Sequence, residues 1–327
     1  VSWSRRVLWV VLAAAPSSLM IGVTQHISTD LAAVPLLWVI PLFLYLMTFT
    51  VAFSPRIPMS ASVLGWVLLP LVLLDAYIVM TGRTKPFLPI LGLNITTFTV
   101  AALMCHRRLA DDRPSPARLT EFYFFIAVGG VLGGIFNALV APLVFTLVFE
   151  YPVALAACLL LRPWRATPNS LGEWGVGLPR LRDRLSSLSE GRTGALVTLA
   201  LTAGALLLLW TSDRVLRNQD VAPLYVESTR AILTLALCGS AALLVRRPMV
   251  SALPFIAVVC VAQYLAKRSY GDEHLAFRRS FFGVHHVYAV YARRPDMTVD
   301  PTKPVVHKLH HGTTLHGAQL FGKMERR

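Results

Sequence analysis

The sequence predicts a helical membrane protein that ends in a short β-rich segment. Two observations predict the membrane part: 55% of the 327 residues are hydrophobic and only 15% are charged, and the mean hydropathy is +0.59. Soluble domains carry about 25% charged residues. A third observation predicts the β part, because aromatic and β-branched residues replace the long apolar runs after Lys267. We therefore expect an all-α multi-pass bundle over residues 1–266 and an incomplete β-rich segment over residues 267–327.

Apolar runs near the length of a bilayer span recur along the first part of the chain. A helix needs about 20 apolar residues to cross a bilayer. The runs cover residues 7–27, 31–53, 61–80, 87–105, 121–141, 143–161, 194–210, 231–245 and 249–266. Since the run 231–245 is the shortest, we expect eight or nine spans. Pro35 and Pro41 lie inside the second run, where neighbouring helices can satisfy the backbone groups that a proline releases.

The excess of positive charge is distributed as in a membrane protein. The chain carries 31 basic and 17 acidic side chains, a net charge of +14. Nucleic-acid binding is excluded as a function class, because the arginines lie in short connectors and not on a basic face with stacking aromatics. The loops 106–120 and 162–193 are rich in arginine, so we expect both in the cytoplasm. If the last three runs all cross the membrane, residues after 267 lie on the opposite side.

Polar residues inside the apolar runs are the candidate functional residues of the membrane part. Such residues are costly in a bilayer and tend to be functional. They are Gln25, His26, Asp30, Asp75, Asn94 and Glu150. Asp30 and Glu150 lie near the ends of runs, so an interfacial position is the alternative for these two. Asp75 lies deep inside its run, and its carboxylate is a candidate ligand for a cation or a proton.

The sequence GGVLGG at 129–134 lies within an apolar run and not between a strand and a helix. A nucleotide-binding glycine loop must follow a strand and open a helix. Two pairs of glycines are instead spaced four residues apart, Gly129 with Gly133 and Gly130 with Gly134. This spacing allows a second helix to approach closely, so we expect helix packing here.

Histidines are concentrated in the β-rich segment, which holds seven of the nine. Residues 280–293 and 304–311 are each predicted to form a strand. Four of the histidines are candidate metal ligands: His307, His310, His311 and His316. Neighbouring residues of a strand point to opposite faces, so the two adjacent imidazoles of this set do not converge on one ion. We therefore expect no metal site.

Four phrases together resemble a known family. They are RRVLWVVLAAAPSSLMIGVTQHISTDLAAVPLLWVIPLFLYLMTF, LTEFYFFIAVGGVLGGIFNALVAPLVF, RRSFFGVHHV and HGTTLHGAQ, in this order. They are similar to bacterial membrane proteins in which a major-facilitator-like region is fused to a spermidine-synthase-like domain. The resemblance covers nearly the whole chain. It implies the bacterial inner (plasma) membrane as the location and a chain truncated at both ends.

The resemblance also implies a role for the last histidine-rich stretch. HGTTLHGAQ would be the β-rich lead-in to an aminopropyltransferase-like fold, with Gly312 and Gln319 beside the substrate. His311 stands where soluble aminopropyltransferases have an aspartate, and His316 lies in the same phrase. The full-length protein would use decarboxylated S-adenosylmethionine and act on a polyamine. For this chain we expect no bound cofactor, no catalytic residue and no aminopropyl transfer.

Two functions remain open from the sequence. The first is the membrane-embedded part of a spermidine-synthase-like protein that binds or makes polyamines. The alternative is a transporter or permease-like module whose soluble domain senses or regulates. For both, the expected partners are the lipid bilayer and a polyamine, and not a nucleic acid. A third interpretation, a purely structural membrane anchor, holds if Asp75 and its neighbours tolerate replacement.

Overall fold

The computed structural model describes most of the first half of the chain and the histidine-rich segment. The described residues are 1–28, 36–57, 59–81, 85–145, 148–163, 274–281, 283–293, 299–311 and 314–320. Asp30 and the apolar runs 194–210, 231–245 and 249–266 lie outside them.

The described part of residues 1–163 is helical. Its α-helices are α1 (Trp3–His26), α2 (Val39–Phe53), α3 (Ala61–Thr81), α4 (Phe87–Asp111), α5 (Leu119–Ile135), α6 (Ala141–Val144) and α7 (Glu150–Leu160). A short 3-10 turn, Pro116–Arg118, precedes α5, and a π-helical turn, Phe136–Val140, joins α5 to α6.

Three of the described helical segments are long and apolar enough to cross a membrane. They are Trp3–His26, Phe87–Asp111 and Pro116–Val144. Shorter apolar helices accompany them over Val39–Phe53, Ala61–Asp75 and Glu150–Leu160. The chain is therefore a membrane protein, and its described helices support three candidate spans of the eight or nine that the sequence predicts.

Helices α1 and α5 run parallel and in close contact. Contacts between α1 and the segment formed by α5 and its following turn keep the same order along both, from Arg6 with Glu121 to Ser18 with Asn137. A Cβ on Gly129 would collide with the carbonyl oxygen of Val10. Further along, a Cβ on Gly133 would lie 2.9 Å from the backbone nitrogen of Ser18. The expected packing role of this glycine pair is confirmed.

The second glycine pair does not contact the backbone of α1. A Cβ on Gly130 would meet no atom within 4 Å, and one on Gly134 would meet only the end of Ile21, at 3.9 Å. Glycines four apart lie on one helix face, so the two pairs occupy adjacent faces of α5. Only the pair formed by Gly129 and Gly133 is needed for the contact with α1.

One end of the bundle carries a group of arginines, and we call it the arginine end. Arg5 binds the carboxylate of Asp112 through Nε, at 2.9 and 3.0 Å, and Trp9 donates its indole N–H to the same carboxylate at 2.5 Å. Arg107 donates to the carbonyl oxygen of Ala52, at the last turn of α2. Arg108 donates to the carbonyl oxygen of Leu161, just after α7. The segments that follow α4 and α7 therefore begin at the same end of the bundle. This agrees with the prediction that both arginine-rich loops lie on one side of the membrane.

Two predicted spans begin later than the hydropathy indicates. Within the predicted span 31–53, the described helix begins at Val39, so Pro41 lies in its first turn and is not interior. A proline there costs no hydrogen bond, because the first amides of a helix have no partner in that helix. In the predicted span 143–161, the backbone leaves the helix at Phe145 and helix α7 begins only at Glu150. At 1.5 Å per residue α7 is about 16 Å long, which is shorter than the hydrocarbon core.

The described residues of the β-rich segment form one four-stranded antiparallel sheet. The strands are β1 (His274–Ser280), β2 (Gly283–Arg293), β3 (Val299–His311) and β4 (Thr314–Leu320), in the order β1-β2-β3-β4. Each strand pairs with the next along the chain, so the sheet is a meander.

The prediction of two strands was wrong in two respects. The predicted strand 280–293 is divided by a turn, since Ser280 ends β1 and Gly283 begins β2 with a φ of +141°. Residues 304–311 belong to a longer strand, and the chain itself supplies two more strands. Two adjacent arginines lie in β1, and β4 is almost entirely exposed. Neither strand therefore shows the alternation of apolar and polar residues by which a strand is predicted.

Candidate functional site

Asp75 is the centre of a buried polar cluster between α1, α3 and α7. Its side chain is fully buried, and the hydroxyl of Tyr151 donates a hydrogen bond to Oδ2 at 2.7 Å. Its other oxygen, Oδ1, has no hydrogen-bond partner among the described residues. No lysine or arginine of the described residues forms a salt bridge with it. The tyrosine hydroxyl is neutral, so the charge of an ionised Asp75 is not balanced by this bond.

Tyr151 links Asp75 to α1. The ring is fully buried and stacks on the imidazole of His26 with 4.9 Å between ring centroids and 8° between planes. Gly22 makes this contact possible, because a Cβ there would lie 3.1 Å from the Tyr151 Cα. The tyrosine is the second residue of α7, so the start of this helix is fixed against α1.

The last turn of α1 provides the other predicted polar residues of this end. His26 is buried and Gln25 is half-buried. Both make further contacts in the protein. Together with Asp75, Glu150 and Tyr151 they define what we call the carboxylate end of the bundle, which lies opposite the arginine end because α1 runs from one to the other.

Glu150 is joined to the sheet by a buried ion pair. Arg279 of β1 donates from Nη2 to Oε1 at 2.6 Å and from Nη1 to Oε2 at 3.0 Å. The two side chains are 5% and 2% exposed. A bidentate arginine–carboxylate bond is both strong and directional. Of the two alternatives for Glu150, the structure favours a buried position over an interfacial one, with Arg279 as its counter-ion.

Asn94 does not belong to this cluster. It is fully buried in α4 and donates to the carbonyl oxygen of Ile90 in its own helix at 2.8 Å. Its Oδ1 has no hydrogen-bond partner among the described residues. The side chain bonds one turn back along the helix, which is a common arrangement for a polar residue inside a membrane helix. The structure therefore separates Asn94 from Asp75.

The structure also shows a buried histidine that the sequence analysis assigned to a loop. His106 lies in the last two turns of α4 and is fully buried, with Nδ1 3.2 Å from the hydroxyl oxygen of Thr48. Rings of Tyr45 and Phe49 meet it edge-on, with centroids at 5.1 and 4.9 Å. The sequence gives little signal for this site, because His106 is followed directly by two arginines.

Of the four predicted substrate residues of the β-rich segment, the structure brings His311 and His316 together. Gln319 is exposed on β4 opposite His307 of β3, while Gly312 lies outside the described residues. His311 is half-buried and meets exposed His316 at 5.4 Å between ring centroids. Where the chain is described after residue 273, it forms an antiparallel meander in which no helix follows a strand. The βαβ unit that typically holds a nucleoside cofactor is therefore not among these described strands.

The histidines of the sheet form two stacked cross-strand pairs. His285 stacks on His311 with 4.6 Å between centroids, and His286 stacks on His310 at 5.7 Å. Adjacent residues lie on opposite faces of the sheet, as predicted. The ring planes within each pair are nearly parallel, at 15° and 13°. Within the described strands and helices, no group of three or more histidine, cysteine or acidic residues has the arrangement of a metal site.

The surroundings of His285 lower the pKa of its imidazole. Burial lowers the pKa of His285 below its ordinary value, and the neighbouring imidazoles of His311 and His316 lower it further. Ser280 lies at hydrogen-bond distance, with Oγ 3.3 Å from Nε2. Arg278 is paired with His285 in the strand register. None of these neighbours carries a negative charge that would favour an imidazolium.

The chain matches no protein-family model, and neither a curated protein nor a solved structure matches it.

Proposed function

We propose that the helical region binds a small organic ammonium ion at Asp75. We place the chain in the bacterial plasma membrane, with eight or nine spans, as the membrane-embedded part of a spermidine-synthase-like protein. The resemblance in sequence supports the family, and the buried carboxylate supports the ligand class. A polyamine is then the ligand, because it is the ammonium compound that the family implies.

The observation that carries this proposal is the half-satisfied carboxylate of Asp75. One oxygen accepts from Tyr151 and the other has no hydrogen-bond partner among the described residues. An ionised carboxylate buried without a counter-charge is strongly destabilising. Residues of this kind persist in membrane helices where they meet a cation, a proton or a substrate. An ammonium group supplies both the missing charge and the missing hydrogen bond.

The proposal is tested by spermidine binding to the purified chain in detergent, measured by titration calorimetry. Asp75→Asn keeps the shape of the side chain and an acceptor for the Tyr151 hydroxyl, so the variant should fold. We expect it to lose most of the affinity, because breaking a buried charge pair costs about 3–5 kcal/mol.

Asp111→Asn is the matched control, since Asp111 is half exposed and pairs with Arg107 at the arginine end. It should bind as the unchanged protein does. Equal spermidine binding by the Asp75 and Asp111 variants, or none by the unchanged protein, would contradict the proposal.

A permease-like module is the second candidate function. The contact chain from Asp75 through Tyr151 to His26 favours it, because connected titratable side chains in a bundle are typical of proton relays. Uptake of labelled spermidine into proteoliposomes separates the two candidates. Uptake that collapses with the pH gradient supports transport, whereas binding without uptake supports a binding module.

A further inference from the structure

We propose that Arg279 is a tethered competitor for the ammonium site, held on Glu150 until a ligand with two positive charges displaces it. This inference rests on the proposed function of Asp75 and names the regulation of the same site. In this proposal Glu150 is the second carboxylate of a site for a dication, and the sheet is released when the dication binds.

Both carboxylates are linked to the first turn of α7. Glu150 is the first residue of that helix, and Asp75 of α3 accepts a hydrogen bond from Tyr151, the second. Both carboxylates are buried. In this proposal they bind a ligand whose two ammonium groups are joined by a flexible chain.

The two carboxylates differ in their hydrogen-bond partners. Glu150 is already neutralised by a bidentate bond from Arg279, at 2.6 and 3.0 Å. Among the described residues, Asp75 accepts one hydrogen bond, from the neutral hydroxyl of Tyr151. In this proposal a monocation binds at Asp75 with Glu150 still bound to the sheet, whereas a dication removes the guanidinium from Glu150.

Arg279 belongs to a different unit of the fold from the carboxylates. Arg279 lies on the seven-residue strand β1, the first strand of the sheet, whereas Glu150 lies in the helical region. Displacing the guanidinium breaks a buried contact between the two. Ligand binding at the carboxylate end would thus alter how firmly β1 is held, which couples the site to the sheet.

The test compares 1,4-diaminobutane with 1-aminobutane on four proteins: the unchanged chain, Arg279→Gln, Arg278→Gln and Glu150→Gln. Arg279→Gln removes the competitor, so it should tighten diamine binding on the order of tenfold, within the usual range of coupling between sites. Arg278 is exposed on the same strand, and Arg278→Gln should change neither affinity. Glu150→Gln should bind the diamine no more tightly than the monoamine.

A second measurement does not depend on affinity. Hydrogen exchange of the β1 amides should increase when the diamine is added and stay unchanged with the monoamine. If Arg279→Gln does not fold, Arg279→Lys keeps a positive charge without the bidentate bond and should give a smaller tightening in the same direction.

The two proposals fail in different ways. If Asp75→Asn leaves binding of both amines unchanged, the site itself is wrongly assigned. Loss of binding in Asp75→Asn, with no tightening in Arg279→Gln and no change in β1 exchange, would leave the Asp75 site standing and overturn the role of Arg279.

Discussion

Asp75 illustrates how a single residue can oppose the stability of the fold that contains it. The carboxylate lies in a bundle of apolar helices, and only one of its oxygens is hydrogen-bonded within the described residues. A leucine of similar size would remove that cost of burial. Asn94 also has one side-chain oxygen without a hydrogen-bond partner among the described residues, but its amide is neutral and donates within its own helix, so it carries no charge that a ligand would balance.

At the same scale, the two glycine pairs of α5 give a sharp prediction. Gly129→Ala should destabilise the protein by about 1–3 kcal/mol, the usual cost of overpacking, because the new methyl group collides with the backbone of α1. Gly130→Ala should be neutral or stabilise the helix by up to about 1 kcal/mol, since its Cβ meets no atom within 4 Å.

Thermal unfolding of the two glycine variants in detergent provides the measurement. A lower midpoint for Gly129→Ala alone is the expected result. Equal midpoints would show that α5 does not pack against α1 through this face.

Residue patterns single out Asp75 but not the residues that contact it or lie beside it. Asp75 stands out in the sequence because a charge inside an apolar run is rare. Tyr151 and Arg279 do not stand out, since tyrosine is common near membrane interfaces and arginine is common on strands facing water. Their roles depend on contacts across 76 and 129 residues of sequence, which a local pattern does not contain.

At the scale of elements, hydropathy predicted where helices lie better than where they begin. The first span was expected over residues 7–27 and is found as Trp3–His26. Within the span expected over residues 143–161, α6 ends at Val144 and α7 begins only at Glu150. A hydropathy average includes apolar residues whatever their backbone conformation, so it does not detect the break that brings Glu150 and Tyr151 to a helix start.

The sheet is predicted to lose stability in mild acid. The pKa of His285 is lowered in the fold, so the unfolded segment binds more protons than the folded one between the two pKa values. Stability is therefore complete above the unfolded value of about 6.5 and declines as the pH falls through the lower folded value. Hydrogen exchange of the β2 and β3 amides should be faster at pH 5 than at pH 7.5.

His285→Gln should weaken this pH dependence, because glutamine does not titrate. The variant His307→Gln is a suitable control, since His307 lies on β3 opposite Ala289 and Gln319 and not in a stacked histidine pair. Identical pH dependence in His285→Gln and the unchanged chain would assign the effect to other groups.

At the scale of the whole molecule, the two ends of the bundle differ in chemistry. Arg5, Arg107 and Arg108 make their contacts at one end. Asp75 and the ion pair between Glu150 and Arg279 lie at the other, where the sheet is attached. If the arginine end faces the cytoplasm, as the positive-inside rule predicts, the sheet lies on the opposite side, whereas an enzyme that uses a cytosolic nucleoside would need the reverse arrangement.

Cysteine labelling in intact cells tests this topology. In a background without the native cysteines, Ser115→Cys lies in the connector between α4 and α5 at the arginine end, and Thr314→Cys is exposed on β4. We expect an impermeant thiol reagent to label Thr314→Cys and not Ser115→Cys. The reverse pattern would place the sheet in the cytoplasm and restore an enzymatic role for it.

The central claim, that Asp75 is the ligand-binding carboxylate, is tested most directly by infrared difference spectroscopy of the purified chain before and after spermidine is added. We predict a change in a carboxyl or carboxylate band that is present in the unchanged protein and in Asp111→Asn and absent in Asp75→Asn. A spermidine-induced band that persists in Asp75→Asn would contradict the account, because the ammonium ion would then be bound by another carboxylate.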